Sequence, residues 1–160
     1  MNASESVCPG CGLRMPRREG LTAASYYNTS PECWSVYTEI LAAEYSNALL
    51  FGQVHQRTVD TYAVQHAGAP HPDKSMAVHL AGLLLVIDRG MPPHEVPAVL
   101  QRIASPGAIY PHFEPPIVEW PITVFDVAMA GDAHADVVRQ WSETVWREWA
   151  FAREAIARMV

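Results

Sequence analysis

Apolar residues recur at helical spacing along most of the chain. Trp34, Tyr37, Ile40 and Leu41 follow Ser30-Pro31. Serine caps a helix start, and proline suits its first turn because the missing N–H has no partner there. The spacing predicts a helix from Ser30-Pro31 to about Tyr45, ending before Ser46-Asn47. A second helix is expected from about Gln53 to His66, with His55, Val59, Tyr62 and His66 on one face. Gly68, Pro70 and Pro72 follow it and stop it. A third starts near Asp73 as its cap and is apolar nearly all round through Met76, Leu80, Leu83, Leu84 and Ile87, which is the pattern of a central core helix; Arg89-Gly90 closes it.

Val96, Val99, Leu100 and Ile103 mark a shorter helix after Pro92-Pro93. Pro106 to Pro121 holds five prolines and is expected to wrap the core as an extended segment. Thr123-Val124-Phe125-Asp126 has the form of a capping box with Asp in place of Glu. The last helix is expected from about Ala133 to the C-terminus, burying Val138, Trp141, Val145, Trp149, Ala152 and Ile156, with Trp146 pointing elsewhere. Residues 1–30 lack an apolar stripe and read as a loop-rich lobe; no strand pattern stands out. The expected fold is all-α: one compact domain over 1–160, with a helical core of five or six helices over 31–160.

The formal net charge of −6 argues against a nucleic-acid module, because phosphate binding needs clustered cations. Arg14, Arg17 and Arg18 are the one local basic patch and read as a solvated loop. The longest apolar run, Ala77 to Ile87, is too short to span a bilayer and contains His79. The polar N-terminus lacks a signal-peptide pattern, so the cytoplasm is the expected compartment. Thiols stay reduced there, and three cysteines do not form a disulfide framework.

Those three cysteines carry the chemistry. In Cys8-Pro9-Gly10-Cys11-Gly12 a tight turn brings two thiolates to one side, which is half of a tetrahedral metal site. Cys33, in the first turn of the first helix, is the natural third ligand, where the helix dipole favours a thiolate. Helix lengths choose the fourth. A first helix of ~13 residues is about 20 Å long, so an antiparallel second helix ends beside Cys33 with His66 at its tip. His79, early in the third helix, is the alternative. His55 lies roughly 16 Å from His66 on the same face, too far for one ion to take both. The expected ion is a structural Zn2+, because three thiolates and a histidine leave no position for a reacting water.

Other readings compete. The cysteine pair could be redox-active, although the βαβ context of a thioredoxin-like site is absent. Cys33 could be a small buried hydrophobe, and His66 or His79 a hydrogen-bonded core histidine. His112-Phe113-Glu114 has the first spacing of a zinc deaminase, but no Pro-Cys-x-x-Cys follows it. Polar residues on apolar stripes, with His55, Asp60 and Tyr62 as catalytic candidates, suggest either an internal hydrogen-bond network or the pocket of a metal-dependent enzyme with His55 as base. No nucleophile elbow or phosphate loop accompanies them. His112 and His134 have no evident partner, and His71 and His94 are expected to be solvated.

The strings Cys8-Pro9-Gly10-Cys11-Gly12, Ser30-Pro31-Glu32-Cys33-Trp34, Val59-Asp60-Thr61-Tyr62-Ala63-Val64-Gln65-His66 and Val78-His79-Leu80, with Glu114-Pro115-Pro116 and the tryptophan-bearing last helix, resemble an uncharacterised family of short bacterial proteins, a domain of unknown function. The resemblance implies one folding unit with a recurring set of cysteines and histidines, and it implies no activity. A zinc-stabilised binding or accessory protein is therefore the first expectation. An enzyme, or a thiol switch in which Cys8 and Cys11 oxidise and release the metal, is the alternative.

Overall fold

The computed structural model describes residues 4–68 and 70–160, and among them it is mostly helical. The N-terminal lobe, described from Ser4 onward, contains a feature the sequence reading lacks. A short antiparallel hairpin pairs β1 (Glu5–Val7) with β2 (Arg14–Pro16). Its strands have three residues each, and the one inward residue of β1 is Ser6, so no apolar alternation announces it. The hairpin loop is the Cys8–Cys11 turn itself. Cys8 N–H donates to Leu13 O at 2.8 Å, and Gly12 N–H donates to Cys8 O at 2.8 Å.

Helix α1 (Pro31–Tyr45) starts at its Ser30 cap, whose side chain accepts from the Cys33 N–H. Helix α2 (Ala48–Gln65) begins five residues earlier than expected, because Asn47 is a cap whose side chain accepts from Leu50 N–H. Only Ser46-Asn47 separates α1 from α2, so the pair forms a tight helical hairpin that returns His66 to the start of α1.

Helix α3 (Asp73–Leu83) is the buried central helix. Its cap position is Pro72, not Asp73, whose carboxylate instead meets His112. The helix runs on into one π-helical turn, Leu84–Asp88, before Gly90 breaks it in the left-handed region. A 3-10 turn (Pro93–Glu95) leads into α4 (Val96–Ile103). The proline-rich strap then crosses the surface to α5 (Val124–Ala128), whose Thr123/Asp126 capping box is formed. The last helix is two: α6 (His134–Glu148) and α7 (Arg153–Ala157), separated by a 3-10 turn after Trp149. This break and the separate α5 bring the number of α-helices among the described residues to seven.

Trp141, Trp146 and Trp149 are all fully buried. Trp146, expected on another face, instead donates from its indole N–H to Asp88 at 2.9 Å, with Arg153 over its ring. The bend after Trp149 folds Arg153 back onto it. His71 is also not solvated; it is 6% exposed and packs edge-on against Tyr26 and Tyr27. Among the described residues, no helix is long and apolar enough to cross a membrane.

Candidate metal centre

Three elements converge where the hairpin loop meets the α1–α2 pair. Cys8 and Cys11 come from the loop, Cys33 from the first turn of α1, and His66 from the C-terminal end of α2. Their ligand atoms all lie within 4.8 Å of one another, and all four residues are buried. The three cysteines are free thiols. Cys11 Sγ and Cys33 Sγ are 3.8 Å apart, far beyond a disulfide bond of about 2.05 Å. Zn–S bonds of ~2.3 Å meeting at the tetrahedral angle put two sulfurs about 3.8 Å apart, and a sulfur and an imidazole nitrogen about 3.6 Å apart. The observed Cys33 Sγ to His66 Nε2 distance is 3.4 Å. This cluster can hold a metal ion.

The surroundings fix each ligand. His66 Nδ1–H donates to the Tyr62 carbonyl at 2.8 Å, because a carbonyl only accepts. Nε2 therefore presents its lone pair toward the sulfurs, as a metal-ligating histidine requires. Tyr62 stacks on His66 at 3.9 Å and donates its hydroxyl to Cys33 Sγ at 3.6 Å. Thr29 Oγ1 lies 2.7 Å from that hydroxyl and 3.6 Å from Cys8 Sγ. A carbon at the Cβ position of Gly10 would lie 2.3 Å from Asn28 O and 2.7 Å from the His66 ring, so only glycine lets the turn approach the histidine. From the strap, the Trp120 indole N–H donates to Gly10 O at 3.1 Å and fastens the turn from outside.

The electrostatics favour a cation here. Hydrogen bonds with Cys11 and then Cys33 push the Cys8 thiol well down, while those with Cys33 and then Cys8 push Cys11 well up. Three thiols in contact cannot all ionise without a positive charge among them. Burial opposes charge on His66, yet Cys33 and Cys8 beside it carry its pKa up to about 9. A metal ion held here would supply that charge and leave the imidazole neutral.

The buried carboxylates Glu44 and Asp60 gather His55, His134 and His79 into two separate clusters. Glu44, fully buried, accepts from Thr58 at 2.6 Å and His134 Nε2 at 2.9 Å on one oxygen, and from His55 Nδ1 at 2.8 Å on the other. Asp60, also fully buried, accepts from His79 Nδ1 at 2.8 Å and from the Gln56 amide at 3.0 and 2.9 Å. His79 therefore sits on Asp60 and not among the sulfurs. His55, Asp60 and Tyr62 do not share one cavity: Tyr62 belongs to the sulfur cluster, and each of the others has its own partners. His112 bonds Asp73 at 2.7 Å and Glu114 at 3.1 Å, holding the strap to α3. Sequence reasoning did not pair Glu44 with His55 or His134. The available signal was a carboxylate at 44 continuing the stripe of Tyr37, Ile40 and Leu41.

No curated protein and no solved structure matches the chain. One family model does, over residues 6–150, which takes in all four residues of the cluster; its description is a family of unknown function (DUF5946). The chain belongs to that family of unknown function.

Proposed function

We propose that the protein binds one structural Zn2+ through Cys8, Cys11, Cys33 and His66, and that it serves as a zinc-stabilised binding or accessory protein. The observation that carries this reading is the mutual approach of the four ligand atoms to within 4.8 Å in a buried pocket. Three thiolates and one imidazole are a closed tetrahedral set, with no position left for water. Soft thiolate ligands select zinc over hard cations. The ion joins the hairpin lobe, which has little core of its own, to the α1–α2 pair, so that residues 1–160 act as one domain. Such a site persists where thiols stay reduced, which favours a cytoplasmic location. The net charge of −6 supports a partner other than nucleic acid.

Burial of the cysteines, with exposures of 1% for Cys8, 4% for Cys11 and 0% for Cys33, favours a structural ion over a thiol switch, whose cysteines need to be accessible. The enzyme reading keeps one support, the orientation of His55 by the buried Glu44. Elemental analysis with and without a chelator tests the proposal. One equivalent of zinc is expected, with loss of helical circular dichroism when it is removed. Full retention of helicity and thermal stability in the metal-free protein contradicts a structural role.

A further inference from the structure

Two hydroxyls bridge two of the sulfurs. Cys8 Sγ lies 3.6 Å from Thr29 Oγ1, which lies 2.7 Å from the Tyr62 hydroxyl, which in turn lies 3.6 Å from Cys33 Sγ. The Tyr62 ring is fully buried and stacked between Tyr37 at 3.8 Å and His66 at 3.9 Å, so the phenol cannot swing away. Thr29 is held beside it by its own N–H, which donates to Tyr27 O at 2.9 Å. Among the described residues, no other hydroxyl is hydrogen-bonded to these sulfurs.

Counting protons limits what this chain can do. Each hydroxyl carries one proton. With a metal bound, the sulfurs are thiolates and only accept. The 2.7 Å contact between the two oxygens consumes one proton and leaves one over. In one direction Thr29 donates to Tyr62, and Tyr62 donates to Cys33. In the other Tyr62 donates to Thr29, and Thr29 donates to Cys8 or to Ser30 O at 3.2 Å. A phenol is a stronger acid than an alcohol, so the direction that ends in phenol on thiolate is favoured. Three thiolates around a divalent ion leave one net negative charge in a buried place, and a hydroxyl donor offsets it.

We propose that Tyr62 and Thr29 are positioning residues that keep one hydroxyl proton on a metal-bound thiolate. It rests on Cys33 through Tyr62 in the native chain, and on Cys8 through Thr29 when Tyr62 cannot donate. This inference rests on the zinc reading above and adds the device that helps the site retain its ion.

The test compares the full-length wild type with Tyr62→Phe, Thr29→Val and the double variant. Phenylalanine keeps the ring between Tyr37 and His66, and valine keeps the shape of threonine. Each single variant retains one hydroxyl for one sulfur, so its rate of zinc loss to a chelator should stay within about threefold of wild type. The double variant retains none and should lose zinc about tenfold faster or more. With Co2+ in place of zinc, the sulfur-to-metal charge-transfer band should hold its position in both single variants and move to lower energy in the double. Thr29→Ser in the Tyr62→Phe background restores a donor and should behave like Tyr62→Phe alone. Independent effects of the two substitutions, or an unmoved band in the double variant, overturn the relay. NMR of the wild type loaded with a spin-active cadmium isotope needs no variant: the Tyr62 hydroxyl proton should be protected from exchange and coupled to the metal through Cys33. A hydroxyl proton that exchanges freely or shows no coupling overturns the relay as well. A wild-type chain that takes up no metal removes the zinc reading and the relay together, whereas each of the other failures removes the relay alone.

Discussion

A carbon at the Cβ position of Gly82 on α3 would lie 2.0 Å from Oδ2 of Asp60 on α2. The carboxylate occupies the space a side chain at 82 would need, and Asp60 is fully buried there with His79 and Gln56 as its donors. Gly82→Ala must therefore push α3 off α2 or break the carboxylate's hydrogen bonds, and an uncompensated buried charge is costly. A loss of about 3 kcal/mol is expected, measured by urea denaturation. Gly52→Ala is the control: it sits mid-helix in open space and should stabilise the protein by about 1 kcal/mol. Equal effects of the two substitutions would show that the close approach at Gly82 is unimportant.

The Glu44 cluster predicts an acid-side loss of stability. Burial pushes the Glu44 carboxyl up, but hydrogen bonds from His134, His55 and Thr58 outweigh it and leave the pKa lowered. A lowered folded-state pKa stabilises the fold above the ordinary glutamate value of about 4.3, and this is lost as pH falls through the folded value. Asp60 runs the other way: its burial raises its pKa, so its contribution is present at low pH and fades as pH rises above the ordinary aspartate value. Comparing wild type with Glu44→Gln leaves Asp60 in place and isolates Glu44. The variant is expected to lose about 3 kcal/mol at pH 7 and to show a flatter stability profile below about pH 5. Parallel profiles for the two proteins would remove Glu44 from the account.

Cys11 is the most exposed of the three cysteines and lines a surface groove beside Ile117 and Trp120. Alkylation of the zinc-loaded protein with N-ethylmaleimide should label Cys11 before Cys8 and Cys33, as read by peptide mass mapping. Trp120→Phe removes the hydrogen bond to Gly10 O and should speed both labelling and zinc loss to a chelator. Simultaneous labelling of all three would mean that the ion leaves by global unfolding rather than past Cys11.

Much of this arrangement is written locally in the chain. The stripe from Trp34 to Leu41, the Ser30 cap and the Thr123/Asp126 box each depend on neighbours within a turn or two, so spacing reveals them. The demand of a tetrahedral site for a third ligand predicts the approach of Cys33 to the Cys8–Cys11 turn, and the length of a helical hairpin predicts His66 beside it. Other features rest on tertiary contact. The β1–β2 ladder is held by its loop and buries Ser6, leaving no periodic signal. The start of α2 was hidden because Ser46-Asn47 reads as a stop, while Asn47 is in fact the next cap. The Glu44–His55–His134 contact joins three helices across ninety positions of sequence, and no local spacing encodes it. His71 is buried by aromatic rings from the lobe, although its proline-flanked sequence looks like exposed loop.

X-ray absorption at the zinc edge on the purified full-length protein tests the central claim most directly. The account predicts one zinc per chain with three sulfur neighbours at about 2.3 Å and one nitrogen at about 2.0 Å. A protein that retains no zinc under reducing conditions, or a first shell dominated by oxygen, would contradict it.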